Sequence, residues 1–277
     1  LFIVVTGACE VLEVADFPQY PKQIEPLELS ELITLNEQYH AQNNGQICST
    51  LNEYGFTGLS DILFEDGINP CTQREVVRIE LTRPDTLLPT AKQSLLDNKE
   101  FTLVNDTSSL KVIESLALEG CTICEGPEIN NVVIGWKYRF ANQSMSGMEV
   151  ADTEITVVLD AYGVNRILGN WYPDFETPGL INVGYNQATE LLVGWEIDLE
   201  PLTGMDSTFT VTSEHLTMDP YLKLIPFINN GVLELRKTWN VPIEYTGNEF
   251  EGWNANVDAF DGALLRLDVV GLIEDDL

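Results

Sequence analysis

Basic residues are scarce in this chain. Its 277 residues hold 14 Lys and Arg against 44 Asp and Glu, a formal net charge of −30. Such a surface repels phosphate backbones, which argues against a nucleic-acid partner, and it repels anionic membranes as well. Histidine is scarcer still, with two in the chain, His40 and His215. Gly-x-Ser-x-Gly, His-Glu-x-x-His and Gly-x-Gly-x-x-Gly are all missing, so none of the common hydrolase, zinc-protease or dinucleotide signatures is met. No Asp-x-Asp-x-Asp-Gly loop of the EF-hand type occurs. Carboxylate pairs are too abundant to be evidence for a glycosidase. The expectation is a protein that is not an enzyme and needs no cofactor or metal.

Long apolar runs are missing too. None approaches the roughly 20 residues that span a bilayer. The opening Leu1-Phe-Ile-Val-Val-Thr-Gly-Ala-Cys9 reads as the end of a secretory hydrophobic region meeting a lipobox, with Cys9 as the lipidated residue. Thr6 stands where that motif usually has Leu, and no basic region precedes it. The other reading is a short buried strand with Cys9 in a core. The first implies an exported protein of the periplasm or cell surface, held to a membrane only through its lipid.

Five cysteines are present. With Cys9 lipidated, Cys48, Cys71, Cys121 and Cys124 remain, and four cysteines allow three pairings. Local pairing, Cys48 with Cys71 and Cys121 with Cys124, closes the shortest loops and suits an oxidising compartment. Cys121-Thr-Ile-Cys124 leaves redox and metal readings open. Gly126-Pro127 directly after it disfavours the helix a redox site needs, and no second Cys-x-x-Cys is available for zinc.

What is present is apolar material at 44% of residues, enough for real cores. Prolines 18, 21 and 26 make residues 1–25 a signal remnant and tether. Residues 26–80 read as a helix over 27–42, ended by Asn43-Asn44-Gly45, and a loop-rich segment stapled by disulfide. Residues 81–178 and 179–277 read as two modules. In the first, a helix spans 86–97 with Asp85 as its cap and Pro89 in its first turn. Strands follow at 132–140 and 155–159. In the second, a helix spans 185–195, Asn230-Gly231 turns one hairpin and Asp261-Gly262 another.

Both modules carry apolar–Asp–Ala–aromatic followed by Gly: Val158, Asp160, Ala161 and Gly163, then Val257, Asp258, Ala259 and Gly262. With Trp239, Val241, Leu264 and Ala188 in the second and Trp136 in the first, this resembles the PepSY and thermolysin-type propeptide modules. The resemblance implies an α+β fold of two repeated modules, each a helix on an antiparallel sheet. It also implies non-catalytic binding or restraint of a secreted or envelope protein such as a peptidase. Aromatics near expected loops, namely Trp171, Tyr172, Phe175, Trp253 and Phe260, are the candidate contacts. The alternatives are a glycan-binding surface protein using those aromatics and a passive envelope component.

Overall fold

The computed structural model describes residues 23–59, 79–123, 130–173, 181–204, 206–247 and 250–271. Two antiparallel sheets prevail. The first joins β2 (Lys111–Ile123), β3 (Asn130–Ala141), β6 (Glu154–Asp160) and β7 (Gly163–Asn170) in that order. In the second, β11 (Val232–Glu244) pairs with β10 (Tyr221–Asn229) along one edge. Its other edge takes β12 (Gly252–Asp258) and the two-residue β1 (Gln23–Ile24), and β12 continues to β13 (Leu264–Val270). Two small ribbons complete the strands: β4 (Ser144–Met145) with β5 (Met148–Glu149), and β8 (Glu196–Asp198) with β9 (Thr208–Thr210).

Helices are short. Among the described residues they are α1 (Leu29–Gln42), α2 (Pro84–Asp97), α3 (Lys99–Thr102), α4 (Tyr185–Glu190) and α5 (Glu200–Thr203). No helix among these residues is long and apolar enough to cross a membrane.

The expected class, two modules each made of one helix on a sheet beside a separate stapled segment, is thereby corrected. The protein is mostly β. Both α1 and α2 cover the first sheet: Leu32 and Tyr39 of α1 share one core with Leu87, Ala91 and Leu95 of α2 and with Ile155, Val157 and Leu159 of β6. The N-terminal helix is therefore part of that core. On the second sheet the expected helix over 185–195 stops at Glu190. Gly194 takes φ +87, which closes a turn and sends the chain into β8. Ala188, Leu192, Ile197 and Val211 then cover Val241, Trp253 and Val257 in a core built mostly from strands and turns.

Cys48 and Cys121 are each disulfide-bonded. Cys9, Cys71 and Cys124 lie outside the described residues, as do both expected pairings. No bridge joins two described residues, so the stapling expected of the N-terminal segment is not part of the described fold.

A third cluster brings together Phe56, Met145, Val150 and Tyr172 with Leu224, Leu233 and Leu235 of β10 and β11. Ala151 donates its N–H to Leu224 at 2.8 Å, and Val150 bridges Leu224 in parallel. Gln23 Nε2 donates to Glu234 Oε1 at 2.6 Å. The two sheets are thus joined by apolar packing and main-chain bonds.

Local turn chemistry follows the sequence at Asn230-Gly231, with φ +51 and +86, the two-residue hairpin that closes β10 on β11. The second hairpin differs from expectation. Asp258 and Ala263 close a longer loop in which Gly262 N–H donates to Asp258 O at 3.0 Å. Gly262 alone of the Asp-Gly pair is left-handed, at φ +80. At α2, Pro84 occupies the first turn and Asp85 follows it without making a capping bond. Pro89 accordingly lies inside the helix.

Lys223 of β10 stands opposite Thr238 of β11 and is 8% exposed. Burial holds its pKa below the ordinary lysine value, with Asp268 pulling weakly the other way. A lysine whose folded pKa is depressed disfavours folding below that pKa, and the penalty fades as pH rises toward the unfolded value. Lys223→Met is expected to raise the melting temperature by a few degrees at neutral pH, with the gain shrinking at alkaline pH. Thermal melts at the two pH values check this; a lower melting temperature for the variant would show the charge to be stabilising.

Candidate functional site

Two of the chemically distinctive local arrangements in this protein are built alike. Trp136 of β3 stands opposite Leu159 of β6, and Trp239 of β11 stands opposite Val257 of β12. Each indole N–H donates to a main-chain carbonyl just ahead of a helix: Leu81 O at 2.9 Å before α2, and Val183 O at 2.8 Å before α4. Ala161 O accepts from Ile79 N–H at 3.0 Å, and Ala259 O accepts from Val183 N–H at 3.0 Å. In each loop the aspartate accepts from the amide two residues on: Tyr162 N–H to Asp160 at 2.8 Å, Phe260 N–H to Asp258 at 2.7 Å. These residues carry the sequence resemblance, and their work here is structural. They pin the chain entering a helix onto the sheet, and they bring no reacting group together.

The aromatics expected to contact a ligand are placed differently. Trp253 is 2% exposed, packed against Phe209, Tyr245 and Phe250 at ring distances of 4.8–5.5 Å. Trp171 belongs to the core under the first sheet and Tyr172 to the cluster joining the sheets. Those two do line one cleft, of about 490 Å3, with Asn105, Asn142 and Gln143. Both are buried, and burial pushes the Tyr172 phenol well above its ordinary range. Gln143 bonds the main chain of Tyr172 in both directions, at 2.6 and 2.9 Å, so neither ring offers a face to solvent. Phe260 is half-buried and Phe175 lies outside the described residues.

The two histidines are held in structural bonds. His40 Nε2 lies 3.0 Å from Ser49 O, and His215 Nδ1 accepts from Thr212 N–H at 3.1 Å, closing a capping box. Among the described residues no group of three or more His, Cys, Asp or Glu side chains could hold a metal ion.

The exposed apolar surface is concentrated elsewhere. Among the described residues fourteen large hydrophobic side chains are exposed, and seven of them fall within residues 181–221: Ile181, Tyr185, Leu191, Val193, Trp195, Met218 and Tyr221. A monomer leaves single apolar side chains in water routinely, but a gathering of them marks a contact surface. Tyr185, Val193 and Met218 line one cleft of about 340 Å3 between α4 and residues 213–220. Leu216, half-buried, also lines it. Glu190 and Asp219 stand at its edge. Tyr185 donates its hydroxyl to Asp219, and this bond holds the phenol above its ordinary pKa. Its ring meets Trp239 edge-on at 6.1 Å, so the cleft wall rests on the buried core.

Charge sharpens the picture. Residues 167–222 contain no Lys or Arg. Within 181–221 the carboxylates Glu190, Glu196, Asp198, Glu200, Asp206, Glu214 and Asp219 are all exposed. This stretch is apolar at several points and anionic between them, and the cleft brings Tyr185, Val193 and Met218 together with Glu190 and Asp219. A reading of the sequence by aromatic residues missed it, although the basic-free run was a signal in plain sight.

No protein-family profile and no curated protein matches the chain. Among solved structures, the C-terminal domain of Bacillus megaterium YpeB is similar at 12% identity over 71% of this chain and 69% of that one, with a TM-score of 0.27. At that score the likeness carries no argument about fold or function.

Proposed function

We propose that this is a non-catalytic binding protein that docks a cationic protein surface on the face formed by residues 181–221. The observation that carries this is the coincidence of half the exposed large apolar side chains among the described residues with a stretch that has acid and no base. Apolar anchors supply most of the energy of such a contact, and the surrounding carboxylates steer and select a partner rimmed by Lys and Arg. The resemblance of the tryptophan strands and Asp-Ala loops to PepSY-type modules supports the same role. On that basis the partner is a secreted or envelope protein, a peptidase among the candidates.

A 14-residue amphipathic Leu/Lys peptide serves as a probe, with a Ser/Lys peptide of equal charge as its control. The intact protein is expected to bind the first at least about tenfold more tightly, a difference of ~1.4 kcal/mol. The double substitution Val193→Asp, Met218→Asp is expected to abolish that preference without lowering the melting temperature, because both side chains are exposed. Equal affinity for the two peptides, or a preference that survives the substitutions, would sink the proposal.

A further inference from the structure

At one end of the first sheet, β7 is sealed by the chain itself. Cys48 N–H donates to Asn165 O at 2.7 Å, and Gly169 N–H donates to Gly58 O at 2.7 Å. Residues 48–58 thereby take up main-chain groups that an edge strand otherwise leaves open. At the other end, β2 carries no such cover. β3 pairs with one side of it from Lys111 to Ile123. On the far side, no described residue bonds the main chain between Val112 and Gly120.

Residues 114–118 run in unbroken register with β3, between bulges after Val112 and after Leu118. Leu116, in the middle of that stretch, is 45% exposed, and Ile113 and Ile134 are exposed as well. Ile134 lies across from β3 onto Gly120, where a Cβ would stand 2.8 Å from Ile134 Cδ1. Among the described residues, three of the seven exposed large apolar side chains outside residues 181–221 thus belong to this edge. Its charge is unusual too. Residues 111–141 hold three Lys and Arg against four Glu, a net of −1 in a chain of −30. Glu114 is matched within the sheet by Lys137 at 2.8 Å and Arg139 at 3.4 Å.

We infer that β2 is a dimer interface, pairing antiparallel with β2 of a second copy about a twofold axis through residues 114–118. The main chain dictates what an open strand edge accepts: an extended segment with N–H and C=O groups at the same spacing. A second copy offers that segment from a stretch close to neutral, where repulsion between two bodies of −30 is least. Antiparallel pairing also brings Lys111 of each copy toward Glu119 of the other, whereas parallel pairing sets like charges side by side. Leu116 then meets its own counterpart near the axis. Both copies use the same edge, so the contact closes at two and does not propagate. This inference goes beyond the docking proposed for residues 181–221 and does not rest on it.

The test is sedimentation equilibrium of the intact protein over a range of protein and salt concentrations. A monomer–dimer equilibrium is expected, and it should tighten as salt rises, because salt screens two strongly acidic bodies from one another. Peptide docking on the other face has the opposite salt dependence, so the two readings fail separately. Leu116→Lys sets like charges across the axis and is expected to weaken dimerisation at least about tenfold. Ile228→Lys, at an exposed apolar residue of β10 in the second sheet, is the control and should leave dimerisation unchanged. Neither should lower the melting temperature of the dilute protein. Hydrogen exchange reads the site without any substitution: amides within residues 112–120 should gain protection as protein concentration rises. A monomer at every concentration would overturn the inference. So would association that weakens with salt, association that survives Leu116→Lys, or protection centred on another edge such as β13.

Discussion

Asp258→Ala is expected to cost about 3–5 kcal/mol of unfolding free energy, the range for removing one partner from a buried charge pair. Asp258 is fully buried, and its Oδ2 lies 3.2 Å from Arg236 Nη1. Arg236 is also paired with Glu234 at 2.6 Å and lies over the Phe227 ring at 4.9 Å. Without Asp258 the guanidinium loses a charge partner in a place water reaches poorly, and Phe260 N–H loses its acceptor. Asp258→Asn keeps an oxygen for Phe260 and should cost less. Asp160 is the matching residue in the first sheet, where it is only half-buried, bonded to Tyr162 N–H and Asn165 Nδ2. There solvent can replace much of what is lost, and Asp160→Ala should cost about 1 kcal/mol. Urea denaturation of the three variants checks the order. Equal losses at Asp160 and Asp258 would mean that loop geometry, and not the buried charge, sets the effect.

Trp253→Ala is expected to lose a further 3–5 kcal/mol or so, the usual range for truncating a buried tryptophan. Four rings meet at this point, and Phe250 and Tyr245 also stack on each other at 4.4 Å. The substitution opens a void between Phe209 of β9 and the rings of Tyr245 and Phe250, which flank the facing ends of β11 and β12. Trp253→Phe should recover part of the loss. The pair separates two roles for the residue. A core role moves the denaturation midpoint, whereas a ligand-contact role leaves stability intact and changes affinity alone. An unchanged midpoint for Trp253→Ala would contradict the placement of this ring.

These two residues also mark what the sequence makes legible. Alternation fixes which side of β6 is buried, at Ile155, Val157 and Leu159, because the strand period is a local property. Asn230-Gly231 specifies its turn for the same reason. The helix expected through Trp195 fails because Leu191, Leu192 and Trp195 keep helical spacing while the chain after Glu190 goes on in tighter turns, Leu192 N–H to Thr189 O and Val193 N–H to Glu190 O, up to the left-handed Gly194. Trp253 carries a contact reading beside the core-filling one that a large aromatic favours, since composition near a turn says nothing of what packs over it. The pairing of Gln23 with Glu234 and the bridge between Val150 and Leu224 join residues far apart in the chain, and no local pattern encodes them. The cleft of about 710 Å3 at the C-terminal ends of α1 and α2 draws on three separate stretches, within residues 42–47, 89–98 and 162–164. It exists only once α1 and α2 end side by side. The acidic face is the exception, continuous in sequence and readable from the absence of Lys and Arg over residues 167–222.

The most direct measurement of the docking face is where a cationic amphipathic probe binds. Adding the Leu/Lys peptide to the 15N-labelled protein should shift amides within residues 185–195 and 213–221 first, and most strongly at Val193 and Met218. Raising salt should weaken the binding without moving the shifts elsewhere. Shifts spread over carboxylates throughout the chain, or centred outside residues 181–221, would contradict the assignment of that face as the binding surface.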